Sequence, residues 1–323
     1  MATQIGNKDL IRAINRSLVL NCIKAHGPIG RADVARQTKL SPATVTAISA
    51  ALIEENLIME VSTGASSGGR PPILLAINPK GGYVIGIKLR DDSAVCALTD
   101  LEATILARSS IKLSGHDPEQ VVSDLSELVS EMIRTQKIRK SSILGVGVGL
   151  GGIVDSEQGI LRQSPIYGDR WREVPLRAML EKKMKVSVYL ENDVNTLTLT
   201  EKWFGSGQGL DNFLTITVGR GIGLGIVLNG QFYRGQGGGA GELGHTVVDP
   251  NGPACGCGKR GCLEAYIGDP GLVRTANESY GRKEIPARLE RVEELLTLAE
   301  AGNSAALKIY ADAGQILGKM VAN

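Results

Sequence analysis

The chain has 323 residues, 42% hydrophobic and 22% charged, enough for more than one hydrophobic core. Its 36 Lys/Arg and 34 Asp/Glu nearly cancel, so bulk charge singles out no partner. Five cysteines, an odd count, argue against a disulfide framework; the opening "MATQIGNKDLIRAINR" lacks the apolar core of a signal peptide; and the longest apolar-plus-glycine run, Ile143 to Val154, is too short to span a bilayer, so the sequence reads as a cytoplasmic protein.

The charge is unevenly spread. Residues 1–80 carry +4 and the remainder −2, a mildly basic head on a mildly acidic body. In the head, the spacing of Leu18, Val19, Cys22 and Ile23 predicts a helix over Asn15–Ala25, broken by "HGPIG". A short helix follows over Arg31–Thr38, burying Val34 and Ala35. Ser41 is a good N-cap and Pro42 a good first residue for a third helix, with Val45, Ile48 and Leu52 inward and Thr44, Thr46 and Ser49 outward. Helix, turn, helix is followed by "LIMEVSTGASSGGRPPILLAIN", which reads as strand, basic tip, strand: a wing. Arg70 at the tip suits a minor groove, where the negative potential favours arginine. Arg31, Ser41, Thr44, Thr46 and Arg70 are the candidate DNA contacts.

The body opens with three strands, "YVIGIKL", "SAVCALTD" and "TILARSSIKL". A helix over Pro118–Thr135, a buried strand "ILGVGVGL", a helix over Val174–Met184 and a strand "VSVYLEND" complete a mixed sheet with helices on its faces. The pattern partly repeats in "FLTITVGRGIGLGIVLNGQFY", which implies two similar lobes and a cleft lined by their strand-end loops. Of the 41 glycines, 27 lie between Gly145 and Gly271, where the backbone must bend sharply or approach a ligand closely.

Three of the five cysteines fall within "ACGCGKRGC", and His245 precedes them to give His245-x9-Cys255-x-Cys257-x4-Cys262. One imidazole and three thiolates make a closed tetrahedral set for structural Zn²⁺. A C-x-C disulfide would be strained, and a redox-reactive thiol accounts less well for three crowded cysteines and a histidine. Glu242 and Glu264 bracket the cluster, while Asn192 and Asp193 stand where "VYLEN" turns into a helix. Carboxylates and an amide converging on a glycine-lined cleft suit a polyhydroxylated ligand.

Four stretches, "LGGIVDSEQG", "YLENDVNTLTLTEKWFG", "VGRGIGLGIVLNG" and "GELGHTVVDPNGPACGCGKRGCLEAYIG", resemble the ROK family of repressors, open reading frames and sugar kinases. The resemblance covers nearly the whole chain. It implies an α/β fold of the actin-like ATPase (ribonuclease H-like) type, two-lobed and preceded by a winged helix-turn-helix domain. The expected domains are 1–80 for the head, 81–195 for the first lobe and 196–323 for the second lobe with the zinc site. The family implies that His245, Cys255, Cys257 and Cys262 bind zinc. It implies a sugar site formed by Gly152, Asn192, Asp193, Glu242, His245 and Glu264, with Asp193 as the general base in the kinases.

Two departures bear on activity. Where family kinases carry an Asp-x-Gly-x-Thr phosphate loop, this chain has "IGIKLRDDS", with Lys88, Arg90 and Asp92 at the three motif positions. Asp91 and Asp92 would repel phosphate. Arg220 replaces the middle of a Gly-Thr-Gly loop. The chain also stops within an amphipathic helix, short of the segment that completes the second lobe in the family. The expectation is therefore a sugar-responsive, DNA-binding transcriptional regulator, a repressor and not an enzyme. It binds operator DNA and a monosaccharide in the interlobe cleft, acts as a homodimer or higher homo-oligomer, and has no membrane partner. The alternative is an ATP-dependent, glucokinase-like sugar kinase with a DNA-binding head.

Overall fold

The computed structural model describes residues 8–62, 73–164 and 167–322. The chain divides into two compact units, residues 1–149 with 176–189 and residues 150–175 with 190–323.

The first unit begins with helices α1 (Lys8–His26), α2 (Arg31–Thr38) and α3 (Pro42–Glu54). Strands β1 (Ile29–Gly30), β2 (Ile58–Ser62) and β3 (Ile73–Ile77) form a sheet in the order β1-β3-β2. Antiparallel β2 and β3 are the wing expected from the sequence; its tip, with Arg70, lies outside the described residues. Val19, Ile23, Val34, Val45, Leu52, Ile58 and Leu75 close the core. α1 begins seven residues earlier than its inward stripe predicts. Leu10, Ile11 and Ile14 are all exposed, so local propensity, not burial, carries those first turns. Ser49 corrects the sequence reading: it is buried, not outward. It stands four residues after Val45 and three before Leu52, on the same inward face, and its Oγ has no hydrogen-bond partner.

Next come β4 (Tyr83–Leu89), β5 (Ser93–Thr99), β6 (Ile105–Lys112), α4 (Pro118–Thr135) and β7 (Ile143–Leu150), matching the sequence expectation closely. β4, β5 and β6 pair antiparallel, and β7 runs parallel to β4. The buried stripe of α4, Val121 to Met132, packs toward β5, β6 and the later helix α5 (Leu176–Met184). Strand β10 (Val188–Asn192) completes the sheet in the order β10-β7-β4-β5-β6.

The second unit contains the hairpin β8 (Ile153–Asp155) and β9 (Ile160–Gln163), which the sequence reading did not anticipate. Helix α6 (Asp193–Phe204) packs on β11 (Phe213–Val218) and β12 (Ile222–Leu228), and β13 (Gln231–Phe232) extends that antiparallel sheet. The three-strand meander β4-β5-β6 thus recurs as β11-β12-β13. Helices α7 (Leu263–Ile267), α8 (Asp269–Gly281), α9 (Val292–Glu300) and α10 (Ser304–Ala322) follow. α8, α9 and α10 share a core of Leu272, Ala276, Leu295, Ala306 and Ile309, while Ile316, Leu317 and Met320 of α10 pack on Ile222, Leu263 and Ile267.

Candidate functional site

The cysteine segment has almost no regular structure. Between β13 and α7 the backbone is held by short-range bonds: Cys255 N–H donates to Lys259 O (2.9 Å), Gly258 N–H to Cys255 O (3.0 Å) and Gly261 N–H to Pro253 O (2.7 Å). Isolated bridges pair Val247 with Cys262 and Ala254 with Arg260. This folding brings one donor atom each from His245, Cys255, Cys257 and Cys262 within 4.8 Å of one another. His245 Nδ1 lies 3.6 Å from Cys255 Sγ, and Cys257 Sγ lies 3.6 Å from Cys262 Sγ. A tetrahedron with metal–sulfur bonds of about 2.3 Å has edges of about 3.8 Å, so the four donors fit a metal ion.

Burial and mutual contact set these thiols apart from ordinary ones. Burial raises Cys262 to about 12, and hydrogen bonds shared with Cys257 and Cys255 add to the rise. Burial also raises Cys255. In Cys257 burial is outweighed by the Lys259 N–H and by bonds from the neighbouring thiols, so its value is lowered. Three thiols this close cannot all ionise unless a cation stands among them.

The expected ligand-binding residues form two groups in the second unit. In the first, Asn192 caps α6. Its Oδ1 accepts from Val194 N–H (2.8 Å) and Asn195 N–H (3.1 Å), while its Nδ2 donates to Gly152 O (3.0 Å). Asp193 is the first residue of α6, and its Oδ1 accepts from Val194 N–H at 3.0 Å. Carboxylate at a helix start is favoured by the helix dipole. Asn192 is therefore structural, because both ends of its amide are already engaged.

In the second group, Glu242 Oε2 lies 3.8 Å from His245 Nε2. The imidazole thus turns Nδ1 to the thiols and Nε2 toward a carboxylate, at a distance longer than a hydrogen bond. Desolvation raises Glu242 above the ordinary carboxyl value. His245 opposes this, Glu264 reinforces it, and the side chain is still 42% exposed. Glu264, the second residue of α7, accepts the Ile222 N–H on Oε2 at 3.0 Å, so the start of β12 holds it. Lys259 Nζ donates to His245 O at 2.8 Å.

The segment carrying Glu242 is placed by close backbone approach. Gly241 has φ +84°, and a Cβ there would overlap the carbonyl oxygen of Leu224, whose N–H donates to Gly241 O (3.1 Å). Gly238 has φ +85°, and a Cβ would overlap Val154 O.

In the head, Ser41 Oγ accepts the Thr44 N–H (3.1 Å), as its N-cap role requires, and also bonds Thr44 Oγ1 (2.8 Å). Thr46 is exposed and its hydroxyl donates to Pro42 O (2.8 Å). Arg31 donates to Glu60 of β2 at 2.5 Å, so its charge is partly answered within the head. Sequence reasoning missed Glu191 and Arg234. Their ion pair joins residues far apart in sequence, and no spacing rule signals it.

A model of the ROK family matches residues 84–323, and a winged helix-turn-helix DNA-binding model matches residues 7–59. The xylose repressor of Bacillus subtilis (strain 168) is 32% identical over 306 residues, 95% of this chain and 78% of that protein. NagC, a DNA-binding transcriptional dual regulator of Escherichia coli (strain K12), is 32% identical over 324 residues, 99% of this chain and 79% of that protein. Among solved structures, a ROK family transcriptional regulator described as a homolog of the E. coli MLC protein has a TM-score of 0.84 and 31% identity, covering 97% of this chain and 80% of that one. The ROK hexokinase of Thermus thermophilus has a TM-score of 0.62 and 32% identity, covering 74% and 76%. These likenesses establish the actin-like α/β body behind a winged head. The chain belongs to the ROK family and carries a winged helix-turn-helix DNA-binding head.

Proposed function

We propose that this protein is a sugar-responsive transcriptional repressor of the cytoplasm, a homodimer or higher homo-oligomer that binds operator DNA through its head and a monosaccharide in its second unit. One observation carries the reading: a chain with a DNA-binding head also holds Glu242 and Glu264 beside a closed four-donor cluster. In this reading Zn²⁺ is the metal, held by His245, Cys255, Cys257 and Cys262. Four protein donors leave it no open position, so it supplies rigidity and not chemistry. Asn192, Asp193, Glu242, His245 and Glu264 hydrogen-bond sugar hydroxyls, with Gly152 lying against the ring. The repressor names of the relatives support a sugar effector.

The head reads DNA through the N-terminal end of α3. There Thr44 and Thr46 meet the groove, Ser41 orients the first N–H groups toward phosphate, and Arg31 and Arg70 add charge. Two heads are needed because one recognition helix reads too few base pairs. Sugar acts by binding one conformation of the protein more tightly than another, which shifts the population that holds operator.

The kinase reading draws on Asp193 at the start of α6 and on the structural likeness to the hexokinase. Against it stand Lys88, Arg90, Asp91 and Asp92 in the first phosphate loop and Arg220 in the second. A selection of operator sequences from random DNA, followed by release with D-xylose, D-glucose or N-acetyl-D-glucosamine, tests the proposal. Sequence-specific binding that one sugar releases is the expected outcome. ATP-dependent phosphorylation of any of these sugars, lost in Asp193→Asn, decides for the kinase.

A further inference from the structure

The two ligand-facing groups sit on different pieces of chain. Asn192 and Asp193 end β10 and start α6, whereas Glu242 and His245 follow the glycine-rich loop after β13. One ion pair joins these pieces, its carboxylate nearly buried and its Arg234 side chain 38% exposed. Glu191, the residue before the α6 cap, has a side chain only 12% exposed. Its Oε1 accepts the Asn192 N–H (3.0 Å) and Asn195 Nδ2 (2.9 Å), and its Oε2 accepts Arg234 Nε (2.7 Å). Arg234 follows β13, and its guanidinium carbon lies 4.7 Å from the centre of the Phe232 ring. Its own carbonyl accepts the Ala240 N–H (3.0 Å), closing the loop that leads directly to Glu242.

We propose that Arg234 is a positioning residue for the ligand site: its pair with Glu191 sets the Glu242–His245 segment against the Asn192–Asp193 helix start. The inference rests on the sugar-binding reading above and adds a positioning residue outside the proposed sugar and metal ligands.

The physical argument has three parts. A buried carboxylate must be paired, so loss of Arg234 leaves Oε2 unanswered and the Glu191 side chain turns toward water or another donor. That rotation removes acceptors from the Asn192 N–H and Asn195, the groups that fix the capping amide and the adjacent Asp193 carboxylate. At the other end, the loop is mostly glycine (Gly235, Gly237, Gly238, Gly239 and Gly241), so with the Arg234 anchor gone its course rests on backbone contacts such as the Leu224 N–H to Gly241 O bond alone. Both halves of the site then drift together. Arginine is required at this position because a planar guanidinium bonds the carboxylate while lying over a ring; the ammonium of lysine keeps the charge but not the plane.

The test uses the full chain with its metal. Binding of D-xylose, D-glucose and N-acetyl-D-glucosamine is measured by calorimetry for wild type, Arg234→Lys and Arg234→Gln, alongside Tm, bound zinc and operator affinity without sugar. The sugar that binds wild type is expected to bind Arg234→Gln more weakly by on the order of tenfold, the cost typical of losing an orienting outer-shell partner, and Arg234→Lys by an intermediate factor. Zinc content and sugar-free operator affinity are expected to match wild type. A lowered Tm with sugar affinity unchanged in either variant reduces the pair to a structural one and overturns the proposal. If Arg234→Gln does not fold, Arg234→Lys decides alone by the same criterion. A wild-type protein that binds none of the three sugars instead overturns the sugar reading and this inference with it.

Discussion

The head and the segment from Gly219 to Gly268 reach order by opposite means. In the head, seven aliphatic side chains from three helices and two strands are at most 1% exposed and pack on one another. Polar contacts there, such as the Arg16–Glu55 ion pair, lie at the surface. Within the segment, residues 246–261 are mostly exposed, pair only through isolated bridges, and take their order from backbone bonds, glycine contacts and one cluster of four donors. Apolar burial is cumulative and tolerant, because each side chain adds its own share. A cross-linked loop depends on a few groups, and losing one releases the rest. In the second design Glu242 follows a glycine loop fixed by backbone contacts, while Glu264 is held by the start of β12 beside the small core of Ile222, Leu263 and Ile267.

The largest expected effect separates the regions outright. If the cluster holds zinc as proposed, removing the metal with a chelator, or replacing one ligand as in Cys257→Ser, withdraws a contribution on the order of 10 kcal/mol, typical of structural zinc. Amides of residues 246–262 are expected to lose hydrogen-exchange protection and sugar binding to vanish, while amides of α1, α2 and α3 keep theirs. Equal loss of protection in both regions would break the contrast.

Leu52→Ala is the converse experiment. It empties a fully buried position in the head and is expected to cost about 3 kcal/mol there. Operator binding weakens through a less stable head, and sugar affinity is unchanged. Thermal melts followed at the head and at the site by separate probes check both statements.

Gly241→Ala tests whether backbone approach places the second group of acids. The residue sits at φ +84° against Leu224 O, so a side chain forces strain of about 2 kcal/mol and displaces Glu242. Calorimetry is expected to show weaker sugar binding with bound zinc unaltered. Normal affinity would mean that the cluster and the Arg234 anchor, not backbone approach at Gly241, position Glu242.

The smallest effect belongs to a cap. Ser41→Ala leaves the Thr44 N–H without its acceptor and is expected to cost about 1 kcal/mol of head stability, read from denaturant midpoints, with Ser41→Asn restoring most of it.

Much of this was legible in the sequence because it follows from local rules. Helix periodicity predicts α2 and α4 at the bounds found, the Ser41–Pro42 start of α3 is a capping signal, and His245, Cys255, Cys257 and Cys262 declare themselves by residue type and spacing. Asn192 and Asp193 are recognisable at a strand-to-helix turn for the same reason. What tertiary structure alone decided involves partners distant along the chain or a choice of face. Ser49 is polar and was expected outward, yet it lies on the stripe of Val45 and Leu52, so packing buries it. Glu264 serves β12 through the Ile222 N–H, 42 residues away, and Glu191 meets Arg234 across 43. Such pairs leave no periodic trace, because the contact exists only once the sheet, the glycine loop and the helix start have been brought to one place. The sequence by itself determined which groups can bind metal and cap helices; the folded chain decided which of them share a site, since a carboxylate buried by packing must take whatever donor the fold delivers to it.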